Sequence, residues 1–312
     1  MQRIGNILEQ LERNNPHAVN LQQTWQDILN YPPIHDFIQA HQAELSQEMI
    51  ENSRSKLNEF KREHEAKERG EEGQNPGFTP ELILNGNYID VTYVPTETYY
   101  RWKAEQVRHS LLDNRMMSRD VRQATLRDFY VNTPQRQYLL KQSMDFLHAY
   151  EKEPYATQAL YIHGSFGVGK TYLLGALANY LVDRLEKHVT MIHYPTFTSQ
   201  IKNAIQSGTV QQTIDEIRKV DVLMIDDIGA EANTAWVRDE VLNNILEYRM
   251  KESLATFFTS NFSMEILETH LAKTKDSIDT GKAMRIMERI RYLAHEVEFN
   301  GENLRQAKRQ GN

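Results

Sequence analysis

The sequence predicts an α/β protein in which a parallel sheet and its helices follow a small, mainly helical α+β domain. Three observations support this fold class. Apolar strand segments alternate with helical segments after residue 134, a glycine-rich loop joins one strand to the next helix, and the first 100 residues combine helical periodicity with a hairpin signal. Strands that alternate with helices form a parallel sheet with crossover connections. We therefore expect two domains, of which the second carries the sheet.

Length and composition fit a protein of this kind. The chain has 312 residues, a formal net charge of −7 and no cysteine. Domains usually contain about 100–200 residues, so the length allows two. Without cysteine the chain forms neither disulfides nor thiolate zinc sites, and no segment approaches the ~18 apolar residues that a membrane span needs. We therefore expect a cytoplasmic protein without a zinc site and without membrane contact.

The N-terminal domain is predicted over residues 1–100. Apolar residues recur at three- and four-residue steps within residues 1–68, which is the period of one helix face. The pair Asn85-Gly86 separates two apolar runs in ELILNGNYIDVTYVP, and such a pair is a strong hairpin signal. Residues 101–133 predict a helical linker, and residues 134–312 then form the second domain.

The second domain alternates helices and strands. Its strands are predicted from short apolar runs and its helices from 3.6-residue periodicity. In chain order the prediction is helix 134–150, strand 158–163, helix 170–186, strand 188–193, helix 195–206, helix 211–219, strand 221–226, helix 235–250 and strand 255–259. Because the carboxyl ends of parallel strands meet at one edge of a sheet, the residues that follow these strands are candidates for a common site.

The segment GSFGVGKT follows the first predicted strand of this domain and opens a helix. It fits the pattern G-x-x-x-x-G-K-[ST], whose glycines allow backbone N–H groups to converge on phosphate oxygens, while the helix N-terminus adds partial positive charge. Lys170 would reach the β- and γ-phosphates of ATP, and the hydroxyl of Thr171 would bind Mg²⁺. A glycine turn without a ligand is the alternative. The predicted nucleotide-binding residues here are Gly164, Ser165, Phe166, Gly167, Val168, Gly169, Lys170, Thr171 and Tyr172.

Two further strands end in polar residues. The strand in VDVLMIDDIGAE ends in Asp226 and Asp227, and burying two carboxylates is costly unless a cation compensates them. Asp226 is therefore the predicted Mg²⁺ ligand beside Thr171, and Asp227 is predicted to orient the attacking water, with Glu231 as a lesser candidate. Solvated strand-end aspartates are the alternative. The strand in ATFFTSN leads to Asn261, which can hold the same water or the γ-phosphate, or can belong to the cap of the next helix.

Arginines near the end of the sequence are candidates for completing this site. An arginine supplied to the γ-phosphate can accelerate hydrolysis by about 10³- to 10⁵-fold. Lysine lacks the planar guanidinium group, which can donate two hydrogen bonds to a phosphate at once. Surface positions on an amphipathic helix are the alternative for each of them. The candidates are Arg285, Arg289, Arg291 and Arg305.

The order of these motifs resembles that of a known family. The segments GSFGVGKT, VLMIDDIGAE, WVRDEV, TFFTSNFS, RIMERI and GENLR are similar to those of the AAA+ ATPases that load the bacterial replicative helicase, and within them to the primosomal DnaI family. The resemblance covers residues 135–306 with high specificity and residues 1–134 more faintly. It implies a RecA-like AAA+ P-loop core with a reduced lid, preceded by a helicase-binding domain.

The resemblance also implies roles for single residues. Arg289 matches the arginine finger that reaches the nucleotide of a neighbouring subunit, and Arg305 matches an arginine that senses the bound nucleotide. Residues 195–205 occupy the place of a helix near DNA, where Phe197 would stack on a base and Lys202 would bind a phosphate of single-stranded DNA. Core packing is the alternative for Phe197.

The function implied by the resemblance is ATP-dependent loading of the hexameric replicative helicase onto single-stranded DNA during primosome assembly, with slow, assembly-dependent ATP hydrolysis. The implied partners are the helicase, single-stranded DNA, other primosomal proteins and further copies of this chain in a ring or spiral. Gram-positive members commonly carry a Cys/His zinc site, but this chain has only His64 in that region, so its N-terminal domain either folds without metal or packs differently. An ATPase that assists a transposase or an initiator, and an ATP-binding scaffold without turnover, remain alternatives.

Overall fold

The computed structural model describes residues 24–274 and 278–304. The chain divides into two compact units, Met1–Glu105 and Gln106–Asn312. The start of the predicted N-terminal helical region and the predicted nucleotide contact Arg305 lie outside the described residues. Within the described part of the chain, no helix has both the length and the apolar character needed to cross a membrane.

The first unit packs helices against an antiparallel hairpin. Ser53 connects the helices to the hairpin by hydrogen bonds. Its Oγ accepts from the Ile89 N–H at 2.6 Å and donates to the Met49 carbonyl oxygen at 2.7 Å. Residues 24–29 are also helical. The elements that follow are α1 (Pro32–Ala40), α2 (Gln47–Asn52), α3 (Arg54–Glu68), β1 (Phe78–Asn85) and β2 (Tyr88–Pro95). The buried core consists of Ile28, Ile34, Leu57, Phe60, Ile89 and Val91.

The hairpin prediction is confirmed, with a shift of one residue in its turn. Asn85 pairs with Tyr88, so the two turn residues are Gly86 and Asn87 rather than Asn85 and Gly86. Gly86 has a φ of 58°, a left-handed conformation that glycine adopts without steric cost. The glycine therefore determines where the chain reverses.

The second unit is built on a six-stranded sheet with the order β3-β5-β6-β7-β4-β8. Every neighbouring pair of strands is parallel, which confirms the predicted sheet type. Helix α4 (Glu97–Leu111) contains the division between the units. The remaining elements are β3 (Leu112–Asp113), α5 (Arg119–Arg122), α6 (Pro134–Lys152), β4 (Ala159–His163), α7 (Lys170–Leu185), β5 (Val189–His193), α8 (Tyr194–Ser207), α9 (Val210–Arg218), β6 (Val222–Asp226), a π-helical segment (Val237–Leu242), α10 (Asn243–Lys251), β7 (Thr256–Ser260), α11 (Met264–Ala272), α12 (Thr280–Leu293) and β8 (Ala294–Glu298).

The central strands are covered by helices on both faces. Successive side chains of a strand point to opposite faces. In β4, Leu160 and Ile162 therefore join the core with α6 and α7, whereas Tyr161 joins the core with α8, α10 and α12. Strands β6 and β7 are buried along their whole length. Any polar residue at the carboxyl ends of these two strands is consequently held in a fixed, largely dry position.

Three features of the second unit were not anticipated. Residues 106–133 belong to this unit, and Met117, Val121 and Phe129 are buried in its core. The helix predicted at 235–250 is confirmed and runs without a break, but its residues Val237–Leu242 are π-helical before α10 continues it. Strand β8 follows α12 without an intervening glycine or proline, so no punctuation in the sequence marks the change from helix to strand.

Candidate nucleotide-binding site

The glycine-rich loop joins β4 to α7. Gly164, Gly167 and Gly169 have φ values of 143°, 74° and 106°, in the region that favours glycine. At Gly164 space also forbids a side chain, because a Cβ would lie 2.1 Å from the carbonyl oxygen of Phe299. Gly169 immediately precedes the first turn of α7. The loop therefore has the conformation that directs backbone N–H groups toward a phosphate at a helix N-terminus.

Lys170 connects the loop to a distant strand end. It is 8% exposed, and its Nζ donates to the carbonyl oxygens of Gly164 and Ser165 at 2.7 and 2.9 Å. The same Nζ donates to Oδ1 of Asn261 at 2.9 Å, across 91 residues of sequence. The sheet thus brings together the loop lysine and the polar residue that follows β7.

Asp226 lies at the carboxyl end of β6 and is 3% exposed. Its Oδ1 accepts from the hydroxyls of Thr171 at 2.8 Å and Thr259 at 2.6 Å. Burial raises the pKa of Asp226, while these two hydrogen bonds favour the ionised form. A carboxylate and a hydroxyl are oxygen donors of the type that Mg²⁺ accepts, so Asp226 and Thr171 fit the predicted Mg²⁺ site.

Asp227 has a strained backbone. Its φ is 59°, and a non-glycine residue in this region costs on the order of 1–3 kcal/mol, which is typical of functional sites. Its N–H donates to Oγ1 of Thr259 at 2.9 Å, and its Oδ1 accepts from Nδ2 of Asn261 at 2.9 Å. Its Oδ2 lies 3.9 Å from Nε2 of His193 at the end of β5. The neighbouring strand ends therefore hold this carboxylate at the edge of the sheet beside the loop.

Asn261 links Lys170, the predicted phosphate-binding residue, to Asp227, which is predicted to orient the attacking water. Its Oδ1 accepts from Lys170, and its Nδ2 donates to Asp227. A side-chain amide carries both an acceptor oxygen and an N–H donor on one planar group, so it can bind a cation and a carboxylate at once. The side chain is consequently matched to both neighbours.

The other loop residues differ in exposure. Phe166 is 70% exposed, whereas Val168 is 1% exposed and belongs to the core, and Tyr172 packs against that core. The N–H and Oγ of Ser165 both donate to Oδ1 of Asn300, at 3.0 and 2.9 Å. Contact of these residues with nucleotide remains a prediction, and for Val168 only the backbone can make it.

The structure corrects the predicted base-stacking role of Phe197. The ring is 1% exposed and lies in the core beside Tyr194, with ring centroids 6.4 Å apart. A buried ring has no free face for a base, so the prediction is wrong for Phe197 and core packing accounts for it. Lys202 is exposed on the same helix, and its contact with DNA remains a prediction.

The candidate arginines do not reach the glycine loop of their own chain within the described residues. Arg289 on α12 donates through Nη1 to Oδ1 of Asn243 and through Nη2 to Oε2 of Glu247 at 3.3 Å, both on α10. Arg291 donates to Oε2 of Glu268 at 2.7 Å. The structure therefore assembles Lys170, Thr171, Asp226, Asp227 and Asn261, and leaves Arg289 apart from them.

Sequence analysis missed three residues of this region. His193 and Thr259 lie at the ends of β5 and β7, and the strand-end rule that selected Asp226 applies equally to them. Arg136 donates to the carbonyl oxygen of Val168 at 2.9 Å, and no motif in the sequence marks it. Glu231 is 8% exposed and accepts from the N–H of Gly229 at 2.8 Å, which gives it a role in the loop after β6.

Comparison with known proteins identifies relatives of both units. The family model for the N-terminus of primosomal protein DnaI matches residues 1–93, and the model for the bacterial DnaA ATPase domain matches residues 128–285. The replicative helicase loader DnaI of Bacillus subtilis (strain 168) is 32% identical over 311 residues, which cover 98% of this chain and 99% of that protein.

Solved structures give the same result for more than half of the chain. A crystal structure of DnaI is 45% identical with a TM-score of 0.54, covering 61% of this chain and 97% of its own. A putative primosome component from Streptococcus pyogenes serotype M3 is 37% identical with a TM-score of 0.51, covering 63% and 96%. The DnaC helicase loader, at 19% identity and a TM-score of 0.51, shares the fold. Because the similarity to the Bacillus protein spans nearly the whole chain, this protein belongs to the DnaI family of replicative helicase loaders.

Proposed function

We propose that this protein is an ATP-dependent loader that places the hexameric replicative helicase on single-stranded DNA during primosome assembly, in replication initiation or restart. Family membership supports the loading role. The observation that carries the ATP-dependent part is the side chain of Asn261, which accepts from Lys170 Nζ and donates to Asp227 Oδ1, both at 2.9 Å. This link couples the residue that would hold the γ-phosphate to the residue that would orient the attacking water.

Hydrolysis at this site would need few groups, since positioning and charge stabilisation dominate phosphoryl transfer. Lys170 would exchange its carbonyl partners for β- and γ-phosphate oxygens. Asp227 would accept a hydrogen bond from the attacking water, and Asn261 would keep that water in line. Thr171 and Asp226 would hold Mg²⁺, which neutralises phosphate charge when bound.

Arg289 would complete the site of a neighbouring copy when loaders assemble as a ring or spiral on the helicase. Its side chain is 17% exposed, and that of its partner Glu247 is 38% exposed. Partly exposed ion pairs typically contribute about 0–1 kcal/mol, so exchanging Glu247 for a phosphate costs little. Slow turnover in the isolated chain and faster turnover in the assembly follow from this arrangement.

Mixing two variants tests whether Arg289 acts between subunits. Lys170→Ala keeps the arginine but loses the nucleotide site, and Arg289→Ala keeps the site but loses the arginine. A mixture assembled on helicase should hydrolyse ATP faster than either variant alone. Arg291→Ala, on the same helix and also in an ion pair, is the matched control and should behave as wild type. A mixture no faster than its parts would contradict the assignment.

Family membership and the location of exposed residues also suggest how the protein contacts the helicase and DNA. The first unit matches the DnaI N-terminus, which supports a helicase-binding role for it. Exposed Lys202 on α8 is a candidate contact for a DNA phosphate. We place the protein in the cytoplasm, associated with the nucleoid and with other primosomal proteins during its work.

One second candidate has a specific observation in its favour. The match to the DnaA ATPase domain over residues 128–285 is compatible with an ATPase that assists an initiator. The DnaI-type match over residues 1–93 favours the helicase instead. A scaffold that binds ATP without turnover would have no use for the hydrogen bond between Asn261 and Asp227.

The proposed function is tested with the full chain and the replicative helicase of the same organism. Size-exclusion chromatography with and without ATP should show a complex, and helicase should then unwind a forked substrate on circular single-stranded DNA only when loader and ATP are present. Lys170→Ala should retain helicase binding and lose ATP-dependent loading. Absence of a helicase complex in every nucleotide state would refute the proposal, and co-elution with the initiator instead would favour the second candidate.

A further inference from the structure

Arg136 is a buried cation directly beneath the glycine-rich loop. It lies in the first turn of α6 and is 7% exposed. Its Nη1 donates to the carbonyl oxygen of Val168 at 2.9 Å, and its Nε donates to that of Tyr130 at 2.8 Å. The guanidinium carbon is 4.9 Å from the ring centroid of Phe129 and 5.2 Å from that of Phe299. One side chain therefore joins three segments of the second unit around the loop.

The charge of Arg136 has carbonyl oxygens and ring faces around it. Among residues 24–274 and 278–304, no carboxylate forms an ion pair with it, and burial lowers the pKa of its guanidinium. A buried charge without an opposite charge is expensive. The chain has a net charge of −7, so acidic partners are plentiful elsewhere on it. Carbonyl oxygens alone can hold a buried guanidinium, as they do at Arg249, so it is the contact of Arg136 with the phosphate loop itself that points to an anionic ligand as its counter-charge.

The hydrogen bond to Val168 also determines the direction of a neighbouring N–H. In a planar trans peptide the carbonyl oxygen and the following N–H point in opposite directions. The Val168 carbonyl points into the core toward Arg136, so the N–H of Gly169 points out of the core. A Cβ on Gly169 would lie 3.4 Å from Nη2 of Arg136, which shows how closely the guanidinium underlies this peptide. The outward direction is the one in which loop N–H groups bind phosphate.

We propose that Arg136 is a positioning residue of the nucleotide site, which orients the Val168–Gly169 peptide toward phosphate and supplies the positive charge beneath the polyphosphate of a nucleoside di- or triphosphate. This inference rests on the proposed binding of ATP at the loop. This role requires the planar guanidinium group, because its Nη1 and Nε donate to two different carbonyl oxygens, those of Val168 and Tyr130. Lysine, with one ammonium group, cannot hold both carbonyls in that geometry.

The test compares two buried arginines in the full chain. Arg136→Lys keeps the charge and loses the fork. Arg249→Lys makes the same change at a residue that is 0% exposed and bonded to carbonyl oxygens at the opposite edge of the sheet, including those of Val220 and Ala255. The dissociation constants of ATP and ADP with Mg²⁺ are measured by calorimetry. Circular dichroism and thermal melting establish that each variant is folded.

We expect Arg136→Lys to raise the dissociation constants of both ATP and ADP by roughly 10- to 100-fold, which is the range for the loss of one hydrogen bond from a charged group. Arg249→Lys should melt at a lower temperature and bind both nucleotides as wild type does. Arg136→Ala should lose at least as much affinity as Arg136→Lys; if the alanine variant does not fold, the lysine variant decides. Wild-type affinity in Arg136→Lys, or an equal loss in Arg249→Lys, overturns the inference. Failure of the wild-type chain to bind ATP would refute the proposed function instead.

Discussion

The two edges of the six-stranded sheet use buried charge in opposite ways. At the carboxyl edge, Lys170 and Asp226 are nearly buried, and their partners are side chains and loop carbonyls that a ligand can replace. At the amino edge, Arg249 is 0% exposed and all three guanidinium nitrogens are bonded, with distances of 2.6–3.3 Å. Its partners are the Thr256 hydroxyl and the carbonyl oxygens of Arg218, Val220, Asp221 and Ala255.

This difference distinguishes buried charge that stabilises the fold from buried charge that fits a ligand site. Carbonyls at the starts of β6 and β7 cannot move without opening the sheet, so the Arg249 cluster only stabilises the fold, although burial lowers the pKa of its guanidinium. At the carboxyl edge the backbone is strained at Asp227, and the polar side chains bond mainly to one another. Buried charge and backbone strain together at this edge are the combination that we expect of a ligand site, at some expense in stability.

The largest expected effect is at the amino edge. Arg249→Ala removes five hydrogen bonds, one to the Thr256 hydroxyl and four to backbone carbonyl oxygens, and each is worth about 0.5–1.5 kcal/mol, so the free energy of unfolding should fall by about 4 kcal/mol or more. Urea titration measures this loss. At a temperature where the variant remains folded, its affinity for ATP should equal that of the wild type. A loss of stability below about 1 kcal/mol would contradict the structural role.

The second expected effect is at the carboxyl edge and concerns binding. Lys170→Ala removes the cation that would hold the phosphates, and ATP affinity should fall by at least about 100-fold, or ~2.7 kcal/mol. Stability should change less than in Arg249→Ala, because the loop partners of Lys170 are accessible to water. Lys219→Ala, an exposed lysine before β6, is the matched control and should bind ATP normally. Retained ATP affinity in Lys170→Ala would refute the nucleotide site.

A smaller effect is expected for Asn261, which lies between Lys170 and Asp227. Asn261→Ala removes the hydrogen bond to Asp227, so the carboxylate of Asp227 becomes free to rotate. Turnover of ATP by the assembled complex should fall by roughly 10- to 100-fold while ATP affinity changes by less than about fivefold. Single-turnover kinetics and calorimetry separate the two quantities. An equal loss in both would assign Asn261 to binding rather than to catalysis.

The smallest expected effect is a gain in stability. Burial raises the pKa of Asp226, so the carboxylate destabilises the nucleotide-free fold, and the wild type should lose stability as pH rises from about 4, where the unfolded carboxyl ionises, through the higher folded pKa. Asp226→Asn should remove this slope and raise the free energy of unfolding at neutral pH by about 1 kcal/mol. Thermal melts across pH measure both. Lower stability in the variant would show that the Thr171 and Thr259 hydroxyl bonds outweigh burial.

Local patterns in the sequence predict most of the second unit correctly. The strand predicted at 221–226 is β6 at Val222–Asp226, and the helix predicted at 170–186 is α7 at Lys170–Leu185. These elements have complete apolar runs or complete helical faces, and Gly169 marks the start of α7. Strand β8 was missed because its five residues follow α12 directly. Phe197 was misassigned because an aromatic residue on an amphipathic helix fits a core and a binding surface equally well.

The sequence by itself determined the glycine loop, the alternation of helices and strands, the hairpin and the set of polar residues at strand ends, since each depends on residues that are neighbours in the chain. Tertiary structure alone decided which of these residues meet. Lys170 and Asn261 are 91 residues apart, and only the strand order, with β4 beside β7 and β7 beside β6, places them with Asp227. The roles of Arg136 and Arg249 also required the fold, because one arginine in a helical pattern resembles another until its surroundings are known.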